Sequence, residues 1–288
     1  ICGGISLAGF PLDDIWHRIF GQDVTLWGPT HLMLIGGAGM SLMALLLLER
    51  EGRAAMGDAA PPDTRRVWLM RCTAFGGLLI GLSVFQIEYD FGIEQFRLVL
   101  QPMMIAGAAA FALIAARITL GRGAALIAAV SAALIRGAVA LVVGPGLGAP
   151  INVFALYLGP ALVVELVALT PLMRRPVLFG AVAGLAIGTV GLSLESFWID
   201  GVYHYPWPTA MWGEALAMAV PVAVAMGVCG ALMGMVLTGQ RLPRPKLAGV
   251  AVAVSVLVIG GAVANGLRVE VPSLSLIHIS EPTRPLHI

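Results

Sequence analysis

Two histidines and three carboxylates share one short polar stretch of an otherwise apolar chain: Asp13-Asp14-Ile15-Trp16-His17, then Gln22-Asp23-Val24-Thr25, then Pro29-Thr30-His31. Ionisable side chains are costly beside lipid, so their clustering asks for a cause, and metal ligation is a direct one. Asp13 and His17 stand four residues apart, which puts both on one face of a short interfacial helix over residues 12–20. Gly21 ends that helix, residues 22–28 return the chain, and Pro29 suits the first turn of the next helix, with His31 just inside it. One carboxylate with two imidazoles suits copper, iron or zinc better than calcium or magnesium. Asp14 or Asp23 can stand behind an imidazole and orient it. The plainer alternatives are a helix cap made by Asp13-Asp14 and an ordinary hydrogen-bonded interfacial histidine.

The elements that must position these residues are membrane helices. Of the 288 residues 59% are hydrophobic and 11% charged, so a soluble domain has too little polar surface to cover the chain. Apolar runs near 1–10, 30–48, 68–87, 98–116, 124–144, 152–172, 177–196, 210–236 and 247–266 give one partial and eight further spans. All are expected to be helical, because a helix satisfies its own backbone in lipid. The fold class is therefore all-α, a polytopic helical bundle forming one transmembrane domain over 1–273. Small-residue stripes, Ala106 to Ala110 and Gly180, Gly184 and Gly188, suit close helix packing. Residues 1–10 read as the tail of a span that starts earlier. Residues 274–288 resemble a translated sequencing adapter, which sets aside His278 and His287 and leaves His17, His31 and His204. Cys2, Cys72 and Cys229 are scattered, with no spacing for a disulfide framework or a thiolate metal site. No nucleic-acid-binding patch or phosphate loop is visible, and the expected surroundings are a lipid bilayer.

Basic residues set the orientation. The loops after the second, fourth, sixth and eighth spans carry twelve, from Arg50 to Lys246, whereas the opposite loops carry only Arg18, Arg97 and Arg268. That asymmetry makes the first set cytoplasmic. The expected location is a bacterial inner membrane. Asp13, Asp14, His17, Asp23, His31, Glu88, Asp90, Glu94, Asp200 and His204 then fall at the extracytoplasmic face. Asp90, Glu94, Asp200 and His204 are possible further ligands from across the bundle, though Glu88, Asp90 and Glu94 also read as a solvated acidic loop. Arg136 and Glu165 lie inside the fifth and sixth spans and are expected to pair with each other. Glu195 and Glu214 sit near span ends and are expected to face water.

The order Asp13-x-x-Trp16-His17, Asp23-x-Thr25, Pro29-Thr30-His31 resembles the motif of the C subunit of particulate methane and ammonia monooxygenases. The resemblance covers roughly twenty residues. It implies that Asp13, His17 and His31 hold copper, and that the protein hydroxylates a small apolar substrate with dioxygen alongside other monooxygenase-type subunits. The family's second site uses an Asn and two further histidines. The corresponding stretch here, 88–104, has no histidine, so that site is expected to be absent or rebuilt with carboxylates. Nothing in the chain resembles a haem, flavin or iron–sulfur motif, so electrons must come from elsewhere. The alternatives are a membrane transporter, or a copper-handling or structural subunit without oxygen chemistry. Arg136, Glu165 and the outer carboxylates would line a permeation route in the transporter reading, against which no internal repeat is evident.

Overall fold

The computed structural model describes residues 1–21, 27–93, 96–243, 249, 253–258, 260–261 and 264, and they are helical with no strand. In chain order the helices are α1 Cys2–Phe20, α2 Pro29–Met56, α3 Arg65–Ser83, α4 Ile87–Asp90, α5 Leu100–Leu120, α6 Ala124–Leu141, α7 Leu158–Val167, α8 Pro176–Ala186, α9 Leu192–Val202 and α10 Trp212–Thr238. Six stretches among the described residues are long and apolar enough to cross a membrane: Pro29–Ala59, Arg65–Asp90, Leu100–Leu120, Ala124–Gly146, Pro176–Val202 and Thr209–Thr238. The chain is an integral membrane protein with an all-α bundle. Half of the expected span over 247–266 lies outside the described residues.

Helix α5 is the centre. Its alanines let neighbours close in from several sides, and 72% of its apolar window is buried. Across from it α10 presents Gly227, Gly230 and Gly234, and a Cβ at Gly230 would meet the α5 carbonyl of Phe111 at 2.5 Å. The Gly180, Gly184, Gly188 stripe packs as expected, laying α8 on Gly227 and Ala223 of α10 and Gly188, two residues past the end of α8, on Val220.

Expectations for two spans and for Glu195 change. Residues 1–10 and 12–20 form one helix, α1, which runs through Pro11 and ends at Gly21 (φ 83°). Leu7 and Phe10 before the proline and Ile15 and Ile19 after it are exposed apolar residues. The 152–172 span is also half irregular: residues 149–157 are not helical, and only Leu158–Val167 is. Non-helical backbone at membrane depth needs partners inside the protein. Here Val153 N–H donates to Asp90 O (3.1 Å), Trp198 Nε1 donates to Phe154 O (2.7 Å), and Tyr157 N–H donates to Glu195 Oε1 (2.9 Å). Glu195 therefore does not face water. It is 2% exposed and satisfies the start of α7. Glu214 is exposed and pairs with Arg97 at 2.7 Å.

Candidate metal centre

α1 and α2 form an antiparallel hairpin, and their close crossing builds the site. A Cβ at Gly37 would meet Ser6 N at 2.7 Å, and one at Gly9 would meet Leu34 Cγ at 2.8 Å. Ser6 Oγ also donates to Leu34 O (2.8 Å). With the backbones this near, Asp13 and His17 on α1 face His31 in the first turn of α2, where Pro29 occupies the expected N-terminal position.

The three side chains converge. One ligand atom from each of Asp13, His17 and His31 lies within 4.8 Å of the others, the group of metal-ligating type found among the described residues. His17 Nε2 stands 3.4 Å from Asp13 Oδ2, and His31 Nε2 stands 3.3 Å from Asp13 Oδ1. Both separations exceed the usual N–H···O distance of about 2.9–3.0 Å. They match the spacing of about 3.3 Å between two ligands bound at about 2.0–2.1 Å to one tetrahedral ion. The imidazole rings are tilted at 52° with centroids 5.4 Å apart, so they are not stacked.

Supporting contacts fix the ligand atoms. His17 Nδ1 lies 3.1 Å from Gly21 O. A carbonyl can only accept, so Nδ1 is the donor there, and Nε2 is the ring nitrogen that faces Asp13. Thr30 Oγ1, 6% exposed, donates to Asp13 Oδ1 at 2.5 Å and orients the carboxylate. Neither Thr30 nor the Gly21 carbonyl was singled out as a partner from sequence. The signal for Thr30 was its place beside His31; the Gly21 carbonyl had none, because any residue offers one. The donor set is complete enough for a three-ligand site with open positions, and its nitrogen and carboxylate character fits copper, zinc or iron.

The remaining site residues lie elsewhere. Asp14 is exposed and pairs with Arg18 at 2.9 Å. Asp23 and Glu94 lie outside the described residues. Asp200 Oδ1 accepts from Trp207 N–H (2.9 Å), and His204 is exposed against Gly92.

Asp90 is fully buried, not part of a solvated loop, and Glu88 is buried with it on α4. Asp90 takes Arg136 Nη2 at 2.6 Å and the Tyr203 hydroxyl at 2.7 Å, while Arg136 Nη1 donates to Ser83 Oγ (2.9 Å). Arg136 and Glu165 are thus not partners. Glu165 pairs with Arg117 at 2.9 Å and accepts from Ala125 N–H at the start of α6. Eleven residues of helix, about 16 Å, separate Ala125 from Arg136 and put the two charges at different depths. A second polar cluster went unread in the sequence: Trp207 Nε1 donates to Gln101 Oε1 (2.9 Å), and Gln101 Nε2 donates to Gln86 Oε1 (3.2 Å).

At Trp27 lies an apolar cavity of about 270 Å³, lined also by Phe85, Met103, Met104, Val222 and Met226 among others. Trp27 also packs on Phe85 with ring centroids 5.6 Å apart.

Family models, curated proteins and solved structures were all compared with the chain. None matches it.

Proposed function

We propose that this is a metal-binding integral membrane protein whose Asp13, His17 and His31 hold a late first-row ion, copper in the first place, in the manner of the copper monooxygenase C subunits its motif resembles. The observation that carries this reading is the convergence of one carboxylate and two imidazoles, one ligand atom of each within 4.8 Å of the others, with Thr30 and Gly21 orienting Asp13 and His17. Copper bound there would supply dioxygen activation for hydroxylating a small apolar molecule. Asp13 offsets the ion's charge, the Gly21 carbonyl holds His17 in its ligating tautomer, and the half-buried setting leaves room for a further ligand. The cavity lined by Trp27 and the methionines offers an apolar molecule a place within the same bundle. Electron supply and other subunits come from outside this chain. The proposed location is a bacterial inner membrane, and the distribution of arginines supports a site on its extracytoplasmic side.

The alternative is a copper-handling or structural subunit without oxygen chemistry. The exposure of the site supports it, with the His17 and His31 side chains 24% and 18% accessible. The transporter reading is weaker, since Arg136 and Glu165 are each tied to a carboxylate or guanidinium partner and to helix packing.

Metal analysis of protein purified in mild detergent, beside a His17→Ala/His31→Ala double variant, tests the reading. Near-stoichiometric copper in the parent and none in the variant is expected. Absence of metal from both after copper supplementation would overturn it. If copper binds, product formation from small alkanes or ammonia in the presence of partner subunits and a reductant separates an oxygenase from a copper carrier.

A further inference from the structure

The opposite end of the bundle carries a second built feature. Along α2, eighteen residues separate His31 from Glu49, about 27 Å of helix and close to the thickness of a bilayer's hydrocarbon core. There a cavity of about 280 Å³ opens between the ends of four helices, lined by Arg50, Arg53, Arg71, Glu49, Thr119 and Thr238 among others. It adjoins a groove of about 410 Å³ that shares Leu46, Glu49 and Arg71 with it and continues along Leu45, Val67, Met70 and Ala74. Leu45 and Met70 are 59% and 62% exposed, facing the lipid side.

The charges favour an anion. Arg71 is held by Glu49 (2.5 Å) and Asp63 (3.0 Å), and Asp63 also takes Arg53 at 3.1 Å. The hydrogen bond from Arg71 chiefly keeps the Asp63 carboxyl below its usual range, so it stays ionised. Arg50 has no ion pair among the described residues and lies against Gly239 at the end of α10. The pocket therefore keeps one positive charge in excess. Carbonyl ends of α5 and α10 also attract guanidinium groups. They account for arginines, but not for an apolar groove joined to them.

We infer that this end binds one anionic phospholipid, its phosphate on Arg50 and Arg53 beside Arg71 and an acyl chain in the groove along Leu45, Val67, Met70 and Ala74. A basic pocket between helix ends, level with the headgroups and continuous with an apolar channel, matches that ligand in both charge and shape. The inference is independent of the metal site.

The full chain in mild detergent is titrated with phosphatidylglycerol, with phosphatidylcholine and with inorganic phosphate, read by native mass spectrometry and thermal melting. Phosphatidylglycerol is expected to add one molecule preferentially and to raise the melting temperature; the other two are expected to do neither. Arg50→Gln/Arg53→Gln should weaken phosphatidylglycerol about twenty-five-fold, roughly fivefold for each cation near the surface. Arg174→Gln/Arg175→Gln should leave it unchanged. Met70→Trp, which keeps every charge and fills the groove, should also weaken it, and decides the matter if the arginine variant does not fold. Equal retention of phosphatidylcholine, an equal effect of phosphate alone, or unchanged binding in both Arg50→Gln/Arg53→Gln and Met70→Trp would overturn the proposal.

Discussion

At the scale of single residues, the site depends on atoms that do not themselves ligate. Thr30 bonds Asp13, and the Gly21 carbonyl sets the His17 tautomer. Replacing Thr30 by Val keeps the shape and removes the donor, so copper affinity measured by competition titration should fall about 10–100-fold while helical content is unchanged. No loss would mean that the carboxylate is held well enough by the helix alone. Arg136 gives a contrasting case. Its removal as Arg136→Ala strands Asp90, which is 0% exposed, and should destabilise the bundle by about 3–5 kcal/mol without changing metal content at low temperature.

At the scale of elements, two close crossings matter for different reasons. α1 packs chiefly on α2, and Gly37 lets the two backbones meet. Gly37→Val should wedge them apart, cutting metal occupancy several-fold with little change in the melting of the central helices. By contrast, Gly184 presses α8 on α10 at the Ala223 carbonyl. Gly184→Val should lower stability by about 1–3 kcal/mol in detergent melts and leave metal binding intact. Similar effects of both variants on both readouts would show that α1 is coupled to the core. Glu195 works between elements as well. It lies on α9 and satisfies the irregular segment before α7, so Glu195→Ala should cost about 1–3 kcal/mol by leaving buried N–H groups without an acceptor.

At the scale of the whole molecule, the candidate metal site and the arginine pocket stand at opposite ends of the bundle. The basic loops predict which end faces the cytoplasm. In intact cells an impermeant thiol reagent should label His204→Cys but not Asp58→Cys, both placed in a background lacking Cys2, Cys72 and Cys229. The reverse pattern would put the metal cluster on the cytoplasmic side.

Much of this architecture was legible in the chain itself, because apolar length and helical spacing are local properties. Runs of about twenty apolar residues set helix existence, the i, i+4 pair Asp13 and His17 set a shared face, and Pro29 set where α2 begins. The glycine stripe of α8 was readable for the same reason. What tertiary structure alone decided is which distant polar groups meet. Arg136 finds Asp90, forty-six residues away, rather than Glu165, and Glu195 reaches back thirty-eight residues to Tyr157. Such pairings depend on which helices become neighbours and at what depth each charge then lies. No periodicity in one segment records its neighbour. In a low-dielectric interior every buried polar group must be matched, so packing settles the partner once the helices have found their places.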